Sequence, residues 1–209
     1  MGIKSFWKNL KVCNVGITKK SKRKQEEFIV SIKKNLEATI KRDYPFLDDG
    51  KIRDIIGTIE RHSVMAAAAG GASAILPGAG AALSIMSCVG FVTAMYVKIT
   101  KKVGIRISKV KLKAIASAIL AEIASQSVVS FAGGVIISFI PGLSNISMAV
   151  GQYAFTYMSG VMYLSFLKDV FGAGASFEEM TTEAIEAKIS EIGNDMDIGN
   201  IVKELANER

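Results

Sequence analysis

The stretch "AILPGAGAALS", Ala74–Ser84, sits inside a run of 35 residues, Ser63–Val97, that holds no Asp, Glu, Lys or Arg. A near relative, "SFIPGLSNIS", Ser138–Ser147, sits inside a second such run of 45 residues, Ile123–Leu167. Proline removes a backbone donor and glycine permits a turn, so a helix must break at each Pro-Gly step. Each run therefore reads as two apolar helices joined at Pro77-Gly78 and Pro141-Gly142, and the chain as all-α, built around two apolar helical hairpins with amphipathic helices flanking them. "AGGASAILPG" at 69–78 also matches "AGGVIISFIPG" at 132–142 with one insertion, the pattern of a duplicated hairpin.

Working outward, the charges are segregated. Residues 1–60 hold 14 Lys+Arg against 8 Asp+Glu, 61–113 hold 8 against 0, 114–169 hold 1 against 2, and 170–209 hold 3 against 9. A basic collar of Lys98, Lys101, Lys102, Arg106, Lys109, Lys111 and Lys113 separates the two apolar runs. Three regions follow from this: a basic arm over 1–24, a helical domain over 25–171 with hairpins at 63–97 and 123–167, and an acidic helical tail over 172–209.

In the arm, Ile3, Phe6, Trp7 and Leu10 recur at helical spacing opposite Lys4, Lys8 and Lys11, and the polybasic run Lys19, Lys20, Lys22, Arg23 and Lys24 follows. An aromatic-bearing basic helix next to a polybasic run supplies two signals for an anionic bilayer, and suits it better than a nucleic acid. The arm lacks the apolar core of a secretory signal, and Phe6 stands where a myristoylation pattern needs Ser or Thr.

Helices are expected over 25–43, stopping at Tyr44-Pro45, and over 49–61, capped by Asp48-Asp49 and carrying Ile52, Ile55, Ile56 and Ile59. Ser176 with Glu179 is a capping-box pattern for a last amphipathic helix.

A bilayer-spanning helix takes about 17–25 apolar residues. The four hairpin halves measure 14 (Ser63–Leu76), 20 (Gly78–Val97), 18 (Ile123–Ile140) and 26 (Gly142–Leu167), so three have spanning length and the first does not unless it is re-entrant. The positive-inside rule then puts the basic arm and the loop 98–113 on the cytoplasmic side of a membrane, with both Pro-Gly turns away from it. The small residues Ala66, Gly70, Ala74 and Gly78 would let two such helices approach closely. Two other arrangements stay open: a soluble bundle in which outer helices cover the apolar ones, and a protein that conceals its hairpins and inserts on a trigger, as colicin-type pore formers do. After Pro141, Asn145, Gln152, Thr156, Ser159 and Tyr163 form an uncharged polar stripe, either hydrogen bonding between helices or a hydrated groove.

The second turn and its helix, "FIPGLSNISMAVGQYAFTYMSGVMYLSFL", together with "YVKITKKVGIRIS" before it, resemble the YcjF-type domain of unknown function. The resemblance covers about 62–171 and rests on Pro77, Gly104, Pro141, Gly142, Thr156 and Gly160. It implies a helical membrane-associated domain working beside a GTPase. This chain has no G-x-x-x-x-G-K-[ST] loop, so that GTPase would be a separate protein.

Catalytic chemistry is not readable. His62 next to Ser63 offers no oxyanion loop, and the acid pairs Asp48-Asp49 and Glu178-Glu179 fall at helix starts, where the dipole favours them. Two dissimilar cysteines, Cys13 and Cys88, and one histidine supply neither a disulfide framework nor a metal set. The expectation is a non-enzymatic protein without cofactor or metal, with an anionic membrane, a separate GTPase or a second copy of itself as partner. Its work would be scaffolding or remodelling.

Overall fold

A computed structural model of the chain describes residues 37–38, 40–73, 80–138, 144–172, 174 and 176–196. Phe6, Trp7, Leu10, Lys19, Lys20, Lys22, Arg23, Lys24, Pro77, Gly78, Pro141 and Gly142 lie outside these residues, as does the side chain of Asn145. The described part is all-α, 84% helical and without strands. A helical end at 40–43 leads into α1 (Asp49–Ser73), α2 (Gly80–Val103), α3 (Lys109–Ser138), α4 (Ser144–Gly172) and α5 (Thr182–Asp195).

Helix α1 starts where the Asp48 carboxylate accepts a 2.8 Å bond from the Lys51 amide, closing one of the donors that a helix start leaves open. It then runs unbroken for 25 residues, through the boundary expected between 49–61 and a separate apolar half at 63–76. Charge stops there but helical propensity does not, so the short first half is the end of a long helix. The same holds at the collar: 98–103 finish α2, 104–108 connect, and 109–113 open α3. Gly104 ends α2 at φ +83°, a conformation costly for any residue with a Cβ.

Each helix buries a stripe at helical spacing. Ile52, Ile55, Ile56 and Ile59 do so on α1, Val92, Met95, Tyr96 and Ile99 on α2, Leu112, Ile115, Ile119 and Ile123 on α3, and Ile185, Ile189 and Ile192 on α5. Full burial of each such aliphatic chain is worth about 1.5–3 kcal/mol. Helix α4 differs, because Tyr157, Met158, Met162, Tyr163, Leu164, Phe166 and Leu167 are all buried, which leaves only a narrow strip at Val161 and Ser165 partly open to solvent over that stretch. It is the central helix, touching α1, α2, α3 and α5, with its largest contact to α1.

The directions follow from the pairs in contact. Lys102 meets Asp54 and Lys98 meets His62, so α1 and α2 are antiparallel. Tyr96 meets Ser159 and Thr100 meets Tyr163, so α2 and α4 run the same way. Helix α3 starts beside the segment that follows α4, with the Ser108 amide 2.7 Å from Glu178 Oε1, and so runs against α4. The result is two packed hairpins, α1–α2 and α3–α4, whose charged ends gather at one pole.

Two expectations are corrected here. The capping-box pair Ser176 and Glu179 instead forms a turn, with the Glu179 amide bonded to the Ser176 carbonyl at 3.2 Å. The cap of α5 is Thr181, whose hydroxyl accepts from the Ala184 amide at 3.2 Å. Spanning helices are likewise not found: among the described residues no helix is long and apolar enough to cross a membrane. The physical reason is that charges ride on the same helices as the apolar runs, with Arg53, Asp54 and Arg61 on α1 and Lys98, Lys101 and Lys102 on α2. Helix α4 carries its charges, Lys168 and Asp169, in its last turns.

Candidate functional site

Most of the polar stripe on α4 is drawn into the bundle. Thr156 and Ser159 are fully buried, and Tyr163 is as well. Tyr96 of α2 donates to the Ser159 carbonyl at 3.0 Å and lies 3.1 Å from its hydroxyl, while Tyr163 meets the Thr100 hydroxyl at 2.5 Å. Thr100 gives its own proton to the Tyr96 carbonyl at 2.6 Å, so Tyr163 is the donor of the pair. Burial pushes the Tyr163 phenol well above its ordinary range, which keeps it protonated and able to donate. Gln152 is half-buried at the upper end of the described stripe. This seam orients α2 against α4.

At the start of the bundle, Tyr44 donates to the Leu164 carbonyl and Asp43 pairs with Arg42 at 2.7 Å and Lys168 at 3.3 Å. Tyr44, beside the proline turn, thereby ties the helical end at 40–43 to α4.

The collar residues divide into two kinds. Lys102 is half-buried and ion-paired with Asp54, and Lys111 donates to the Met180 carbonyl. Lys102 ties α2 to α1, and Lys111 ties α3 to the segment before α5. Lys98, Lys101, Arg106, Lys109 and Lys113 are exposed, and none forms an ion pair among the described residues. Lys101 and Arg106 stand on the margin of an open groove of about 440 Å³, walled by Val97, Ile105, Ile107 and Leu112. Glu178, the carboxylate on that margin, is held by the Ser108 amide. The periodicity of the chain does not reveal this groove, because its walls come from the irregular connection 104–108 as well as from two helix ends.

Among the described residues no group of three or more His, Cys, Asp or Glu is placed to hold a metal ion. No protein-family model, curated protein or solved structure matches the chain. The geometry defines an all-α bundle whose charged residues, of both signs, gather at one end.

Proposed function

We propose that this protein docks on anionic membrane surfaces through the exposed cations of its collar, as a helical module without catalytic chemistry. The observation that carries the reading is that five collar cations, Lys98, Lys101, Arg106, Lys109 and Lys113, are exposed with no ion-pair partner among the described residues, and that two of them, Lys101 and Arg106, stand on the margin of an apolar groove. Each Lys or Arg close to an anionic leaflet contributes about 1 kcal/mol. Apolar walls beside the cations favour a lipid surface over a nucleic acid, since a phosphate backbone gains nothing from Val97, Ile105 and Leu112. The basic arm, whose sequence spaces Phe6 and Trp7 among lysines, adds a second signal of the same sign, and two signals are what stable anchoring takes.

Co-sedimentation of the full chain with vesicles tests this. Binding to phosphatidylglycerol-containing vesicles but not to phosphatidylcholine vesicles, weakening as salt rises, is expected. Equal binding to both, binding to neither, or displacement from lipid by a short oligonucleotide would reject it. Leakage of an entrapped dye separates surface docking from insertion of the hairpins.

A further inference from the structure

His62, the single histidine of the chain, is buried on α1 at 3% exposure. Its Nδ1 lies 2.7 Å from the Thr58 carbonyl, a contact that requires a proton on Nδ1. In the neutral ring Nε2 is then an acceptor, and the Lys98 ammonium of α2 stands 3.5 Å from it. Protonation turns that acceptor into a donor facing a donor, and sets two positive charges against each other across the α1–α2 contact.

Nothing on the neighbouring helices offsets the added charge. The charged residues of α2 are Lys98, Lys101 and Lys102, all positive, and α4 carries none before Lys168. Tyr153 and Tyr157 of α4 are kept neutral by burial. On α1 itself, Arg61 adds a like charge, Asp54 is engaged by Lys102, and Glu60 acts on Tyr153 and Tyr157. Burial first, then Lys98 and Arg61, outweigh the Thr58 bond and hold the imidazole below its ordinary value.

We propose that His62 and Lys98 form a proton-responsive latch between α1 and α2, closed when His62 is neutral and loosened when it is protonated. Beyond the latch, the last part of α1, Ser63–Ser73, and the first part of α2, Gly80–Val97, carry no charge. An anionic leaflet at about −30 mV lowers the local pH by about half a unit, so the proposed docking would favour the open form. That consequence rests on the membrane reading, whereas the latch does not, and an experiment in solution separates them.

The open state binds a proton that the closed state refuses. Opening therefore rises as pH falls below about 6.5, by at most about tenfold per pH unit for one group. Hydrogen exchange of the α1 and α2 amides, corrected for intrinsic rates, is measured from about pH 8 to about pH 5, a window in which the one histidine is the side chain that titrates. The full chain is expected to show this rise, His62→Gln to abolish it, and Lys98→Glu, at an exposed position, to abolish or reverse it by giving the imidazolium a carboxylate. Should His62→Gln fail to fold, the His62 titration read by NMR in Lys98→Glu decides, since its pKa must rise. A flat profile in the unsubstituted chain, a rise that survives His62→Gln, or a His62 pKa indifferent to Lys98→Glu overturns the latch.

Discussion

The ring of Tyr163 lies flat on that of Tyr96, with centroids 3.9 Å apart and planes 9° from parallel. The two phenols reach opposite partners, Thr100 on α2 and Ser159 on α4, so the stack fixes both the spacing and the register of these helices. Tyr163→Phe removes a donor and leaves an acceptor that already has another contact, so a loss of about 0.5–1.5 kcal/mol is expected. Thr100→Val strands the buried Tyr163 hydroxyl and is expected to cost more, about 1–3 kcal/mol. Urea unfolding of the two variants tests the order. The reverse ranking would mean that Tyr163 does not depend on Thr100.

At the α1–α4 contact Gly160 faces Ile59. A Cβ on Gly160 would lie 2.9 Å from Ile59 Cγ1, 3.0 Å from Cγ2 and 3.1 Å from Cδ1, so helix or side chain must shift. Gly160→Ala is expected to destabilise by about 1–3 kcal/mol through overpacking. In a double-mutant cycle with Ile59→Ala, part of that cost should vanish, giving a coupling of about 0.5–3 kcal/mol. Additive effects would place the strain elsewhere.

Asp43 sets a second pH response, distinct from that of His62. Burial alone would raise its pKa, but Arg42 and Lys168 outweigh burial and hold the carboxyl below its ordinary value. The folded state therefore binds this proton less readily than the unfolded state. The stability that Asp43 supplies is full above about pH 3.9 and is lost as pH falls through the folded value. Lys168→Met should shift this loss to higher pH, and Asp43→Asn should remove it. Acid unfolding below about pH 4, followed by circular dichroism, reads both.

The two kinds of collar cation make different predictions for lipid binding. Neutralising exposed Lys101 and Arg106 together as Lys101→Gln and Arg106→Gln removes about 2 kcal/mol, or about thirtyfold in vesicle affinity. Lys102→Gln should weaken binding far less, because its ammonium already faces Asp54. Equal losses from the pair and from Lys102 would argue that only total charge matters and that the pole is not a site.

Much of the fold is legible residue by residue. Ile52, Ile55, Ile56 and Ile59, or Leu112, Ile115, Ile119 and Ile123, announce a helix and its inner face, because a 3.6-residue period is a local property of the chain. The stop at Tyr44-Pro45 and the Asp48 cap are local too. Helix lengths were less legible: the end of charge at Arg61 resembles a boundary, yet the backbone of α1 has no reason to stop there. The cap of α5 falls five residues beyond Ser176, since Ser176 and Thr181 both carry the right hydroxyl and only the chain path between them decides.

By itself the sequence determined the helices, their buried faces, the segregation of charge and the presence of two uncharged runs. Only the tertiary structure decided what the described part of the second run packs against. A helix without charge can be wrapped by lipid or by other helices, and the choice for α4 depends on neighbours more than a hundred residues away, such as Tyr44 bonded to the Leu164 carbonyl. The same non-local packing brings Lys98 to His62, withdraws Lys102 into Asp54 and leaves Lys101 and Arg106 to solvent. Burial and pairing are properties of the assembled bundle, and no local pattern in a run of similar cations foretells them.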